Sequence, residues 1–245
     1  MVYSKRVDGR KFDELREIEA KVGVVKSADG SAMFKIGDTI AIAAVRGPRD
    51  LYPKFMQNPK KGILRCNYNM MSFSVDERIR PGPSRRSKEI GLVTENALLP
   101  ALNLEEFPNA VVDVFIEIIQ ADAGTRCAGI CAASLALADA GIPMKDIVCA
   151  ISVGKVGGKI LTDLNKKEED YEDGSSDMPV AMLPRKNEIS LLQLDGEMKQ
   201  EDIDECLKLA IKACQKISEI QRNALMEKYQ TNQIDDQVDK ENQDG

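Results

Sequence analysis

The chain has 245 residues, 43% hydrophobic and 30% charged, enough for one large or two small soluble domains with a real core. With no His, no Trp and only 4% aromatics, its core is aliphatic, and a Ser-His-Asp triad, a Cys-His pair and a His-ligated zinc are excluded. The net charge is −6, yet the tail Thr231–Gly245 holds five acids and one Lys, while Lys54–Arg65 holds four basic residues and Arg78–Lys88 five, neither with an acid. Basic stretches gathered inside an acidic chain suit a polyanion partner.

In chain order, Lys21 to Arg46 reads as a β-meander, with turns at Asp29-Gly30 and Gly37-Asp38 and a strand of Ile, Ala and Val from Thr39 to Val45. A loop rich in Pro, Lys and Arg follows, then a strand near Ile63 to Ser74. Asp76 to Ser84, with Pro81-Gly82-Pro83, is irregular. Ser84 caps a helix that ends at Leu99, before Pro100. Val111 to Gln120 is a strand, and Ala123-Gly124-Thr125 turns into a helix of small residues, Arg126 to Ala140. Ile147–Val156 and Lys159–Thr162 form a hairpin, followed by an acidic loop, Asp163–Asp177. Val180–Leu183 and Glu188–Leu194 pair as strands. An amphipathic helix, Glu201 to Tyr229, precedes a tail expected to lack structure. The order implies an α+β fold with helices on mixed sheets.

The first residues are polar, so no signal peptide is expected, and no apolar run has the length of a membrane span. The six cysteines make no CxxC pair and are expected reduced and mostly buried, in the cytoplasm.

Several segments could carry chemistry. Gly124-Thr125-Arg126 stands where a strand gives way to a helix, so its amides and guanidinium could cradle phosphate; the plain reading is a turn with a solvated Arg. Arg85 and Arg86 open another helix and either grip phosphates or are simply solvated. The acidic loop could hold Mg²⁺ or protonate a leaving oxygen, although most of its carboxylates fit a solvated tip; Asp177 stands apart because it abuts a strand. Arg6-Val7-Asp8-Gly9-Arg10 fits a structural tie better than a substrate contact. Cys127 and Cys131 have no base to make them nucleophiles.

In their order and spacing these pieces resemble the RNase PH-type phosphorolytic exoribonucleases over about residues 5 to 229. The resemblance rests on Arg6-Val7-Asp8-Gly9-Arg10, Gly37-Asp38-Thr39, Gly47-Pro48, Arg85-Arg86-Ser87, Gln120 to Arg126, Asp163-Leu164-Asn165 and Asp177-Met178-Pro179. Within the family, Asp139-Ala140-Gly141-Ile142-Pro143 and Asp177 to Met182 look most like the catalytic subunit of the archaeal exosome. The resemblance implies an RNase PH-like fold of two β-α halves of the ribosomal protein S5 domain 2 type, with residues 1–230 as one catalytic domain. It implies that Gly124, Thr125 and Arg126 hold inorganic phosphate, the co-substrate. Arg85, Arg86 and Lys54 would bind RNA, Lys54 at a channel position where the family has Arg. Asp177 and Asp170 would be catalytic and would hold Mg²⁺ or Mn²⁺. The two aspartates stand seven apart where the family's stand six apart, which leaves Glu169 as the alternative to Asp170. The implied partners are RNA, an inactive RNase PH-like paralogue in a 3+3 heterohexameric ring, and RNA-binding cap subunits, with no membrane. A homohexameric RNase PH trimming tRNA and a non-catalytic RNA-binding ring subunit are the alternatives.

Overall fold

A computed structural model describes residue 3 and residues 5–171 and 174–243, with side chains through residue 230. Its first sheet has the strand order β1-β2-β3-β5-β4, from β1 (Ile18–Val22), β2 (Gly30–Ile36), β3 (Thr39–Asp50), β4 (Ile63–Met70) and β5 (Ala110–Gln120). Every pairing in it is antiparallel except that of β4 with β5, which run parallel because helix α1 (Arg85–Leu98) carries the chain back between them. The second sheet, ordered β7-β6-β8-β9, is antiparallel throughout and is built from β6 (Cys149–Val156), β7 (Lys159–Thr162), β8 (Ser175–Leu183) and β9 (Glu188–Leu192).

Helix α2 (Thr125–Asp139) lies between the sheets, against β2, β3 and β5 on one side and β6 and β8 on the other. It has no polar face, as a helix covered on both sides requires. Its Ala and Gly residues let strands come close: a Cβ on Gly129 would stand 3.2 Å from Cγ2 of Ile116. From Thr125 to Leu137 every residue is buried except Arg126. One continuous core runs from Phe34 and Ile116 in the first sheet, through Ile130 and Leu135, to Ile151 and Met182 in the second. The final helix, α4 (Gln200–Gln243), packs on β6, β7, β8 and β1.

The expected elements are present, with differences in their extents and at the loop. Val24 and Val25, read as part of the first strand, lie after it, and Val24 is exposed. The backbone of residues 231–243 continues α4 where an unstructured tail was expected; with no Gly or Pro there, nothing in the sequence stops the helix. Residues 244–245 lie outside the described residues. The acidic loop contains a four-residue helix, α3 (Lys166–Glu169), whose start Asn165 and Glu168 close with a capping box. No described helix is long and apolar enough to cross a membrane.

Candidate active site

Gly124 is the N-cap of α2 and is left-handed, φ 63°, as is Ala123 before it, φ 60°. This tight double turn aims the start of the helix at the space between the two sheets. Gly124 has no side chain to cap that end and its own amide faces the Glu169 carboxyl, so the following first-turn amides and the positive end of the helix dipole are turned toward the cleft, where an anion is favoured. Thr125 is buried at the same point.

Arg126, the one residue of this stretch that leaves the core, enters a cleft of about 500 Å³ and an adjoining cavity of about 320 Å³. The side-chain amide oxygen of Gln193 accepts from its Nη1, and Glu89 of α1 lies 3.7 Å from its Nη2. Its Nε is buried and has no partner among the described residues. An orphaned charged donor at a helix start costs free energy until an anion meets it.

Asp177 faces Arg126 from β8, where it stands opposite Gly154 of β6. The Ser152 hydroxyl donates to its Oδ1, and its backbone exchanges hydrogen bonds of 2.9 and 2.8 Å with Asp195. Burial pushes the Asp177 carboxyl above its ordinary value, while Ser152 and Arg126 pull it back. Asp177 was expected just before a strand and lies within one. Ser175 and Ser176 are poor strand formers, but pairing with β6 outweighs their local preference.

The structure separates the two acidic candidates of the loop. Asp170 is the exposed C-cap of α3 and makes a 2.7 Å ion pair with Lys166; it reaches only the rim of the larger cleft. Glu169 lines both cavities. Burial, reinforced by the neighbouring Asp177 charge, pushes the Glu169 carboxyl up to about 7. Asp170 was the expected partner of Asp177 and Glu169 its alternative; both line the larger cleft with Asp177, and Glu169 alone of the two also lines the smaller cavity. The short turn of α3 carries Glu169 inward and leaves Asp170 exposed.

Of the two expected arginines at the start of α1, Arg86 lines both cavities and Arg85 lines neither, since adjacent helical residues point about 100° apart. Lys54 opens an exposed turn beside Phe55, which is 87% exposed, and lines neither cavity. Sequence reading missed Ser152, Gln193, Glu89 and Asp195, which are ordinary residue types with no motif; only strand register and helix packing bring them to the site. All six cysteines are free, and burial pushes the Cys127 thiol well above its ordinary value, so it is no nucleophile.

The cleft thus sets a glycine-led helix start and two arginines against two carboxyl groups with raised proton affinity. That arrangement can bind a phosphate and deliver a proton beside it. No group of three or more metal-ligating side chains occurs among the described residues, but Glu169 and the rim carboxylate Asp170 line the same cleft and could supply the one or two carboxylates that a Mg²⁺ ion needs besides water and phosphate oxygens.

Comparison with known proteins identifies the family and the fold. Residues 14–143 match the 3′ exoribonuclease family, domain 1, and residues 146–213 match domain 2 of the same family. The chain is 57% identical over 225 residues to the exosome complex component Rrp41 of Pyrococcus furiosus, covering 92% of this chain and 89% of that one. It is 50% identical over 224 residues to the protein of the same name from Methanopyrus kandleri, covering 91% and 93%. Among solved structures, rice Rrp46 superposes with a TM-score of 0.80 at 27% identity, over 90% of this chain and all of that one. A chain of the Archaeoglobus fulgidus exosome with RNA bound to the active site superposes with a TM-score of 0.76 at 25% identity, over 88% of this chain and 92% of that one.

Proposed function

The chain belongs to the RNase PH-type 3′ exoribonuclease family, and we propose that it is the catalytic subunit of an exosome ring that shortens RNA from its 3′ end by phosphorolysis. The observation that carries this reading is the unpartnered buried Nε of Arg126 at the glycine-led start of α2, facing Asp177 and Glu169.

Inorganic phosphate sits at the start of α2, held by the amides from Gly124 onward, the Thr125 hydroxyl and the Arg126 guanidinium. Arg86 holds the last phosphodiester of the RNA in the same cleft. A phosphate oxygen attacks that phosphorus, the bond to the 3′-oxygen breaks, and a nucleoside diphosphate leaves. Asp177 passes a proton to the departing 3′-oxygen. Ser152 and the β6–β8 pairing fix the Asp177 carboxyl, and burial keeps its proton available nearer neutral pH. Glu169 beside it makes the two carboxyls a coupled pair that sheds its protons in steps. Water is not a reactant, so the chemistry is transfer to phosphate rather than hydrolysis. Bond for bond the reaction is nearly balanced, so RNA tailing from nucleoside diphosphates is the reverse activity.

Glu169 and the rim carboxylate Asp170 would hold Mg²⁺ or Mn²⁺ beside Asp177, which is left to carry the proton. The ion would offset the negative charge gathered where two phosphates meet. Likeness to exosome components supports a 3+3 ring with an inactive paralogue, capped by RNA-binding subunits, in the cytoplasm. In that ring Lys54 and Arg85 would meet RNA along the channel rather than at the reacting bond.

The test is to incubate the purified chain, alone and with its ring paralogue, with RNA and Mg²⁺, with and without phosphate. Nucleoside diphosphates should appear only with phosphate. Nucleoside monophosphates released without phosphate refute the reading. A mass measurement of the active assembly separates the 3+3 ring from a homohexamer.

A further inference from the structure

The segment Arg6–Arg16 lines neither cavity, yet its side chains reach the elements that carry the site. Helix α3 has four residues, too few to hold a shape by its own hydrogen bonds. It is held from outside. The Arg6 and Glu168 side chains are both fully buried and form a two-pronged pair, Nε to Oε1 at 2.9 Å and Nη2 to Oε2 at 2.7 Å. The Tyr3 hydroxyl donates to Oε1 of the same carboxylate at 2.9 Å, and the Asn165 amide donates to Oε2 at 3.1 Å. Arg6 also donates to the Thr162 carbonyl at 2.8 Å and the Asp163 carbonyl at 2.7 Å. Its fork is thus saturated within the N-terminal segment and the approach to α3. The residue after Glu168 is Glu169.

A second bond set reaches the other wall of the cleft. Arg16 donates to Oδ1 of buried Asp163 at 2.7 Å, and its Nη1 reaches the carboxylate of Asp122 at 3.4 Å. Asp122 lies two residues before Gly124 and accepts from the Lys166 amide at 3.1 Å. A buried ion pair is a weak source of stability, because apolar residues of like volume can replace it. What a saturated, two-pronged pair does supply is fixed orientation.

We propose that Arg6 is a positioning residue: through Glu168 it locks α3 so that Glu169 is held against Asp177 and the phosphate cradle. Turnover then depends on the N-terminal segment although that segment touches no substrate. This rests on the phosphorolytic reading above.

The experiment uses the full chain in the assembly in which the parent is active, with saturating phosphate and an RNA titration. Arg6→Ala is made alone and in a Glu169→Gln background. In the parent background it should lower kcat by about 100-fold with little change in KM for RNA, the cost of a misplaced reacting group. In the Glu169→Gln background the same substitution should cost less than about twofold, because the group it positions is gone. Its loss of thermal stability should persist in both backgrounds. Arg6→Lys, which keeps the charge and loses the fork, should restore stability more than kcat. Should Arg6→Ala fail to fold, Arg6→Lys and Glu168→Gln carry the same cycle. An equal loss of kcat in both backgrounds overturns the proposal, as does a variant with normal kcat. A parent that releases no nucleoside diphosphate overturns the phosphorolytic reading and this proposal with it, whereas an active parent beside a normal Arg6→Ala overturns the positioning role alone.

Discussion

Replacing Glu169 with Gln should make the protein more stable at neutral pH and less active. Burial, with Asp177 facing it, pushes this carboxyl up to about 7 from an ordinary 4.5. The folded protein thus holds the proton more tightly than the unfolded chain does. The stability this group contributes is whole below about pH 4.5 and is lost as pH rises through about 7. At about 1.4 kcal/mol for each pH unit, the loss comes to about 3 kcal/mol. Gln has nearly the same shape and no proton to lose. Urea unfolding of Glu169→Gln and the parent should differ by about 3 kcal/mol at pH 8 in favour of the variant, and by no more than about 1 kcal/mol at pH 5. An advantage equal at both pH values, or none at pH 8, refutes the reasoning, since only titration of a buried carboxyl makes the difference depend on pH. Such a gain beside a loss of turnover is the usual mark of a strained functional group.

Asp177→Asn should lower kcat by about 10²- to 10⁴-fold while RNA affinity, read by fluorescence anisotropy, is kept, because the variant has no proton to donate. Arg126→Ala should raise KM for phosphate by roughly 10- to 150-fold, the worth of charged hydrogen bonds of about 1.5–3 kcal/mol; initial rates against phosphate concentration check it. Asp170→Asn should change kcat at saturating Mg²⁺ by less than about twofold but raise the Mg²⁺ concentration needed for half-maximal rate, because its exposed carboxylate meets the ion only from the cleft rim and otherwise pairs with Lys166. Gly154→Ala should cost about 1–3 kcal/mol in a denaturant melt and also slow turnover: its Cβ would meet the Ser176 carbonyl, forcing β8 to shift beside Asp177.

Much of the fold was legible because local signals and tertiary packing agree. The Ser84 cap, the stop before Pro100, the small-residue helix after Gly124 and the turn at Gly157-Gly158 each have a local physical cause, and each stands where the structure has it. The capping box at Asn165 and Glu168 was equally visible as an Asn followed three residues later by Glu, but the run of acids around it read as a solvated loop.

By itself the sequence determined which residue types could do the chemistry. It has no histidine, its positive charge is gathered in two stretches, and a glycine stands where a left-handed turn must start a helix. Tertiary structure alone decided which of those residues meet. The phase of α1 sends Arg86 rather than Arg85 to the cleft, and the register of β6 against β8 sets Asp177 beside Ser152. Adjacent carboxylates cannot be told apart in a sequence, because burial depends on what folds over them. Here a turn of four residues, pinned by an arginine more than 160 positions away, half-buries Glu169 between two cavities and leaves Asp170 exposed.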